Sequence, residues 1–197
     1  KTWECEIHPS ERKVEIDPTS GAKIISATTN PASDNNLYFH DRCFLFNNKM
    51  MIFTSDRTGR QEIWGYLADT GELVRLNDPN DTVANSAVAS RAGNKVYVVN
   101  NKILLEWKID LVTKPTTSVK ITERKICELP ENSQQLSGLN ENSDKTLVSF
   151  GYKIGDDSFV AVANIASGEI TTVAKVNFPI QHIQFHWNRP DILSFVR

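Results

Sequence analysis

The sequence predicts an all-β fold: part of a β-propeller with about three full four-stranded blades and half-blades at both ends. Three observations predict it. The stretch CFLFNNKMMIFTSDRTGRQEIWGYLADTGELVRLND, residues 43–78, reads as four short runs of β-branched, aromatic and aliphatic residues separated by Asn, Asp, Gly and Thr. Turns that place Thr or Ser before Gly recur at Gly21, Gly71 and Gly168, 50 and 97 residues apart, and 97 is close to two periods of about 48. Lysines that open a strand after an Asn- or Asp-containing turn fall at Lys49, Lys95 and Lys145, and Asp191 continues the series at intervals of 46, 50 and 46. A four-strand unit recurring at that period is the signature of a propeller, and no window carries apolar residues at helical spacing for long enough to compete.

Taken in order, residues 12–28 read as the two outer strands of a blade, RKVEI and AKIISAT, joined by Asp17-Pro18-Thr19-Ser20-Gly21. The first full blade is 43–78: CFLF, KMMIFTS, EIWGYLA and LVRL. The second, 86–129, is SAVAS, KVYVV, ILLEWKI and SVKITERKICEL, its last turn stretched by Val112–Thr117 around Pro115. The third, 136–176, is LSGLN, TLVSFGYK, SFVAVANI and ITTVAKV. Residues 182–197, HIQFH and ILSFVR, read as the first two strands of a further blade. Half-blades would leave open sheet edges, which soluble proteins avoid. The expectation is therefore a portion of a longer propeller of about seven blades, able to self-associate or to pair with its missing half; a complete small open sheet is the alternative.

Composition narrows the partners. A formal charge of −2 and a pI near 6.1 leave no general electrostatic grip on nucleic acid or acidic membranes. No apolar run approaches the roughly 20 residues of a spanning helix, so a soluble protein is expected, its compartment left open. Cys5, Cys43 and Cys127 are odd in number and widely spaced, which disfavours a disulfide framework, and no CxxC pair suggests zinc. Trp3, Trp64, Trp107 and Trp187 are expected to pack between blades. His182 and His186 stand four apart, which on a strand separates them by about 13 Å at ~3.3 Å per residue, too far for one metal ion. GxSxG, Walker-type and HExxH motifs do not occur.

In a propeller, the loop entering each innermost strand and the loop between second and third strands lie on one face, around the channel. That rule places Tyr38, His40 and Arg42 at the mouth of the first blade, with Asp56, Arg57 and Arg60 nearby. It places Ser133–Gln135 at the third blade and His182 and Gln184 at the last. Imidazoles and guanidiniums converging there suit an anionic ligand, with His40, Arg42, Arg57 and Gln184 as candidate binding residues.

Three segments resemble the oligogalacturonate lyase family of pectin-degrading propeller enzymes: IDPTSGAKIISAT with NPASDNNLYF, then KMMIFTSDRTGRQEIWGYLADTGELVRLND, then HIQFHWNRPDILSF. The middle blades match in architecture only. The resemblance implies a seven-bladed propeller that cleaves short galacturonate oligomers by β-elimination, with a His as base and Mn2+ held by three His and one Gln. The His opening the HxQF-like segment corresponds to His182, the candidate catalytic base. The metal ligands are expected beyond Arg197, and none is assigned to this sequence, so the activity is expected of the full chain and not of these 197 residues alone. Two departures from the family pattern are Asn36, where a His often precedes LYF, and Val196-Arg197, where a Cys-His-Glu-Gly run commonly follows. The implied mechanism removes the C5 proton, acidified by the adjacent carboxylate, stabilises the charge with the cation, and expels the C4 oxygen. Two other functions fit the same architecture: a non-catalytic binding or scaffold propeller, and the propeller domain of a prolyl-oligopeptidase-type serine peptidase.

Overall fold

The computed structural model describes residues 1–81 and 86–197, with Gln135 described through its backbone only. Among these residues every regular element is a strand, and all pairings are antiparallel. The chain forms part of a β-propeller. Phe44–Leu45, Met50–Ser55, Glu62–Leu67 and Leu73–Arg75 make the first blade. Ser86–Ala89, Lys95–Asn100, Ile103–Val112 and Ser118–Glu128 make the second. Gln134–Glu141, Leu147–Ile154, Asp157–Asn164 and Ile170–Val176 make the third. Two hairpins stand apart as two-stranded sheets, Lys13–Ile16 with Lys23–Ser26 and Gln181–Phe185 with Leu193–Val196.

The unbroken apolar runs follow from burial on both sheet faces. In the second blade Ala87, Val96, Val98 and Trp107 point into a core shared with Leu45, Ile52, Ile63 and Val74 of the first blade. The alternating set, Val88, Tyr97, Val99 and Leu104, points into a core shared with Leu139, Phe150 and Ala161 of the third. Successive side chains leave a strand on opposite faces, so a strand packed on both sides must be apolar at nearly every position. Gly21, Gly71 and Gly168 sit at φ values of 72°, 79° and 76°, the left-handed conformation that selects Gly at a turn. At Gly168 a Cβ would also lie 2.2 Å from the Ile126 carbonyl oxygen, so that position excludes any side chain.

The N-terminal residues form strands that the sequence reading leaves unassigned. Thr2–Glu4 pairs with Ser118–Glu128 on the outer edge of the second blade, and Glu6–His8 pairs with Leu73–Arg75 on the outer edge of the first. One extended segment thus covers two neighbouring edges that would otherwise present unpaired backbone groups. Trp3 anchors it, donating its indole N–H to the Leu76 carbonyl at 3.1 Å and meeting Trp107 edge-on at 5.4 Å. The Lys1 ammonium sits 2.7 Å from both Asp78 and Asp81. A further short strand, Asp34–Asn36, pairs with Met50–Ser55. The expectation that all four Trp pack between blades is corrected at Trp187, which is 72% exposed with the Arg91 guanidinium 4.9 Å over its ring. The three cysteines are free thiols, and burial pushes those of Cys5 and Cys127 up to about 12 and about 11.

Candidate functional site

A cleft of about 490 Å³ opens between the third blade and the C-terminal hairpin. Its walls are Tyr38, His40 and Asp41 on one side and Pro179 to His182 on another. Residues 136–138 and 151–153, with Ser158, form the third-blade side.

The hairpin is seated on the blade by glycines. A Cβ at Gly138 would lie 2.8 Å from the Ile183 Cβ, and one at Gly151 would lie 2.6 Å from the Ile183 Cδ1. Ile183, 1% exposed, fills the space those two positions leave. Next to it the Phe185 N–H donates to the Asn140 side-chain oxygen at 3.0 Å. Gly138 stands at φ 71°, within the register irregularity between Ser137 and Asn140. The seat is therefore specified by backbone conformation as well as by volume.

That docking sets the direction of His182. Its φ of 50° is unusual for a residue with a side chain, and it lies where the register shifts between Gln181 and Gln184. Such a conformation costs on the order of 1 kcal/mol and persists only where surrounding packing imposes it. The imidazole stacks on Tyr38 at 5.5 Å and 28° and meets the His40 ring at 5.8 Å. Tyr38 also meets His40 edge-on at 4.6 Å, while the adjacent Phe39 is 83% exposed. Burial, with the neighbouring His182, lowers the His40 pKa and so favours its neutral form. The His40 Nε2 is 3.7 Å from Asp41 Oδ1, and burial pushes the Asp41 carboxyl up to about 6.

Of the residues singled out from sequence, the structure brings His40 and His182 together in the cleft. Arg42 does not line it: its carbonyl accepts from the Ala89 N–H at 2.8 Å, and burial and the nearby Arg91 lower its pKa against the opposing pull of Glu141. Gln184 is also outside the lining, and its carbonyl accepts from the Ser194 hydroxyl at 3.4 Å. Arg57 is engaged elsewhere. Its guanidinium binds Glu11 at 2.8 Å and both Asp34 oxygens at 3.0 and 3.1 Å, lies 4.9 Å over Trp64, and is 6% exposed. Arg60 binds Glu62 at 2.8 Å. Ser133 is buried, and the side chain of Gln135 lies outside the described residues.

Asp41, Lys153 and Ser158 were missed. Asp41 adjoins His40 in the chain, which was a usable signal; Lys153 and Ser158 sit in ordinary strand runs and meet the cleft only through the register of the third blade. Among the described residues no group of three or more His, Cys, Asp or Glu is placed to hold a metal ion. The described residues therefore do not by themselves make a manganese site.

No protein-family model matches the chain, and no curated protein matches it in sequence. Solved structures do match its fold. An oligogalacturonate lyase from Vibrio parahaemolyticus superimposes with a TM-score of 0.80 at 15% identity, over 98% of this chain and 54% of that one. An oligogalacturonate lyase in complex with manganese gives 0.79 at 14%, with the same coverages. The β-propeller domain of Cps50 (Swd1) from Myceliophteria thermophila gives 0.57 at 11%, over 90% and 58%. The chain thus spans about half the length of the two lyase structures. At these identities the likeness shows the fold alone.

Proposed function

We propose that the cleft is part of the active site of a lyase acting on oligogalacturonate or a related uronate by β-elimination. The observation that carries this reading is the His182 imidazole, held at the edge of an open cleft against Tyr38 and His40. The fold likeness to two lyase structures supports it.

In this reading the His182 imidazole accepts the C5 proton of the bound uronate. The electron pair of the broken C–H bond forms the C4–C5 double bond as the C4–O bond breaks. The departing oxygen takes up the proton that the His182 imidazolium gives back, directly or through solvent, and the product is an unsaturated uronate formed without net consumption of water. Tyr38 limits rotation of the His182 ring, and a neutral His40 adds no competing positive charge beside the base. No step is routed through a metal ion.

A binding module without chemistry is the second reading, favoured by the exposure of Phe39 beside Tyr38, since a sugar ring can rest on an aromatic face without any base. The test, made on the full-length protein, is absorbance of the unsaturated product from di- and trigalacturonate, with Mn2+ in the buffer. His182→Ala should lower turnover by roughly 10²- to 10⁴-fold, the usual contribution of a positioned general base, with an unchanged melting temperature. Near-normal turnover in the folded variant removes His182 from the mechanism. Binding of the oligomers without any product favours the second reading.

A further inference from the structure

We infer that Lys153, together with the Ser137 hydroxyl, forms a carboxylate-binding subsite on the third-blade wall of the cleft, taking the acidic group of a sugar residue next to the one at His182. This rests on the uronate reading above.

Strand register places these groups together. Lys153 stands directly opposite Ser158, and Gly151 directly opposite Ser137, so each pair shares a face; Gly151 and Lys153, two residues apart, put all four positions on one face. That face is turned toward the C-terminal hairpin. A Cβ at Gly151 would lie 2.6 Å from the Ile183 Cδ1 and 3.2 Å from the Ile180 Cδ1, with the Ser137 Oγ 3.5 Å away. All four positions line the cleft. Tyr152, which also borders the cleft, leaves its strand on the opposite face and stacks there on Phe159 at 5.0 Å.

The polar groups on the cleft face are uncommitted. Lys175, elsewhere in the same sheet, is paired with Asp157 at 2.8 Å and lies over Phe159. Lys153 is half-buried and, among the described residues, makes no ion pair. Ser137 is exposed in the cleft wall. The Ser158 hydroxyl, opposite Lys153, is fully buried and, among the described residues, has no hydrogen-bond partner, a state that native proteins rarely leave unexplained. The acidic lining residue is Asp41, whose carboxyl burial pushes up to about 6, and it adjoins His40 on the far wall. One ammonium and the exposed Ser137 hydroxyl, in a cleft that also presents the Tyr38 ring, match a monoanionic sugar carboxylate.

The experiment is calorimetric titration of the protein with trigalacturonate and with its fully methyl-esterified form, which carries no charge. Lys153→Met should weaken binding of the acid roughly 10- to 100-fold, the range expected for losing a charged hydrogen bond, and leave binding of the ester unchanged. Lys153→Arg should retain most of the affinity for the acid. Ser137→Ala provides a second, smaller loss should Lys153→Met fail to fold. Equal affinity of wild type and both loss variants for the acid overturns the subsite and leaves the His182 reading standing. Failure of the wild-type protein to bind either oligomer overturns both.

Discussion

The polar cluster on the first blade and the polar cluster in the cleft are built from similar residues and end in opposite conditions. On the first blade Arg57 is locked between Glu11 and Asp34, and Glu62, fully buried, accepts from Arg60, Arg75 and Thr58. Burial alone would raise the Glu62 carboxyl, but those hydrogen bonds outweigh it and hold it below the usual carboxylate range; at Asp34 burial is likewise outweighed by Ser55, Thr28 and Arg57. In the cleft Asp41 is raised by burial, Lys153 has no carboxylate partner among the described residues, and the Ser158 hydroxyl has none either. Charge type does not separate a committed polar group from an uncommitted one. What separates them is whether the fold itself supplies the counter-charge.

The largest expected effect would break the first cluster. Arg57→Ala leaves Glu11 and Asp34 facing one another without their cation and should cost about 3–5 kcal/mol in urea denaturation, the range for removing one partner of a buried pair. Affinity for trigalacturonate should not change in the variant that remains folded at low temperature. A weakened affinity at unchanged stability would make Arg57 a binding residue.

Asp41 gives the opposite sign. Its folded-state pKa, about 6, lies above the ordinary value of 3.8, so the folded state holds the proton more tightly. The stabilising contribution is full below about pH 4 and is lost as pH rises through about 6. Asp41→Asn should therefore be more stable than wild type at pH 8 by on the order of 2–3 kcal/mol, with the gain vanishing near pH 4. The difference between the two proteins isolates Asp41 from the depressed carboxylates, whose contributions are lost as the pH falls. A pH-independent difference would contradict its burial in the cleft.

Gly138→Ala tests the seat of the C-terminal hairpin. The added methyl meets Ile183 and is held at positive φ, and the expected loss is about 1–3 kcal/mol. Displacing the hairpin should also move the His40 imidazole back toward its ordinary pKa, which proton NMR titration reads directly. Lys175→Ala is the smallest: its pair with Asp157 is exposed, and less than about 0.5 kcal/mol should be lost. A Lys175→Ala effect as large as that of Arg57→Ala would erase the distinction between committed and solvated charges.

Much of the fold was legible because its signals are local. The Thr/Ser–Gly turns at Gly21, Gly71 and Gly168 demand a left-handed residue wherever they occur, and their spacing marks the repeat. The apolar runs at Met50–Ser55, Lys95–Asn100 and Leu147–Ile154 announce strands buried on both faces. The covering segment Thr2–His8 was not legible: its alternation of charged and apolar residues is too short to stand out, and its strands exist only because two blade edges lie side by side to receive them.

The candidate site divides in the same way. His40 and His182, 142 positions apart in the chain, could each be picked out by chemistry and by position ahead of an inner strand. Their meeting, and the absence of Arg57 and Gln184 from the cleft lining, were decided by packing. Turn and strand preferences are carried by each residue and its neighbours, so sequence alone determined the blades. The partner of a charge is set by which segments a close-packed core brings together, at Ile183 on Gly138 and Gly151 as at Arg57 on Trp64, and only the tertiary structure decided that.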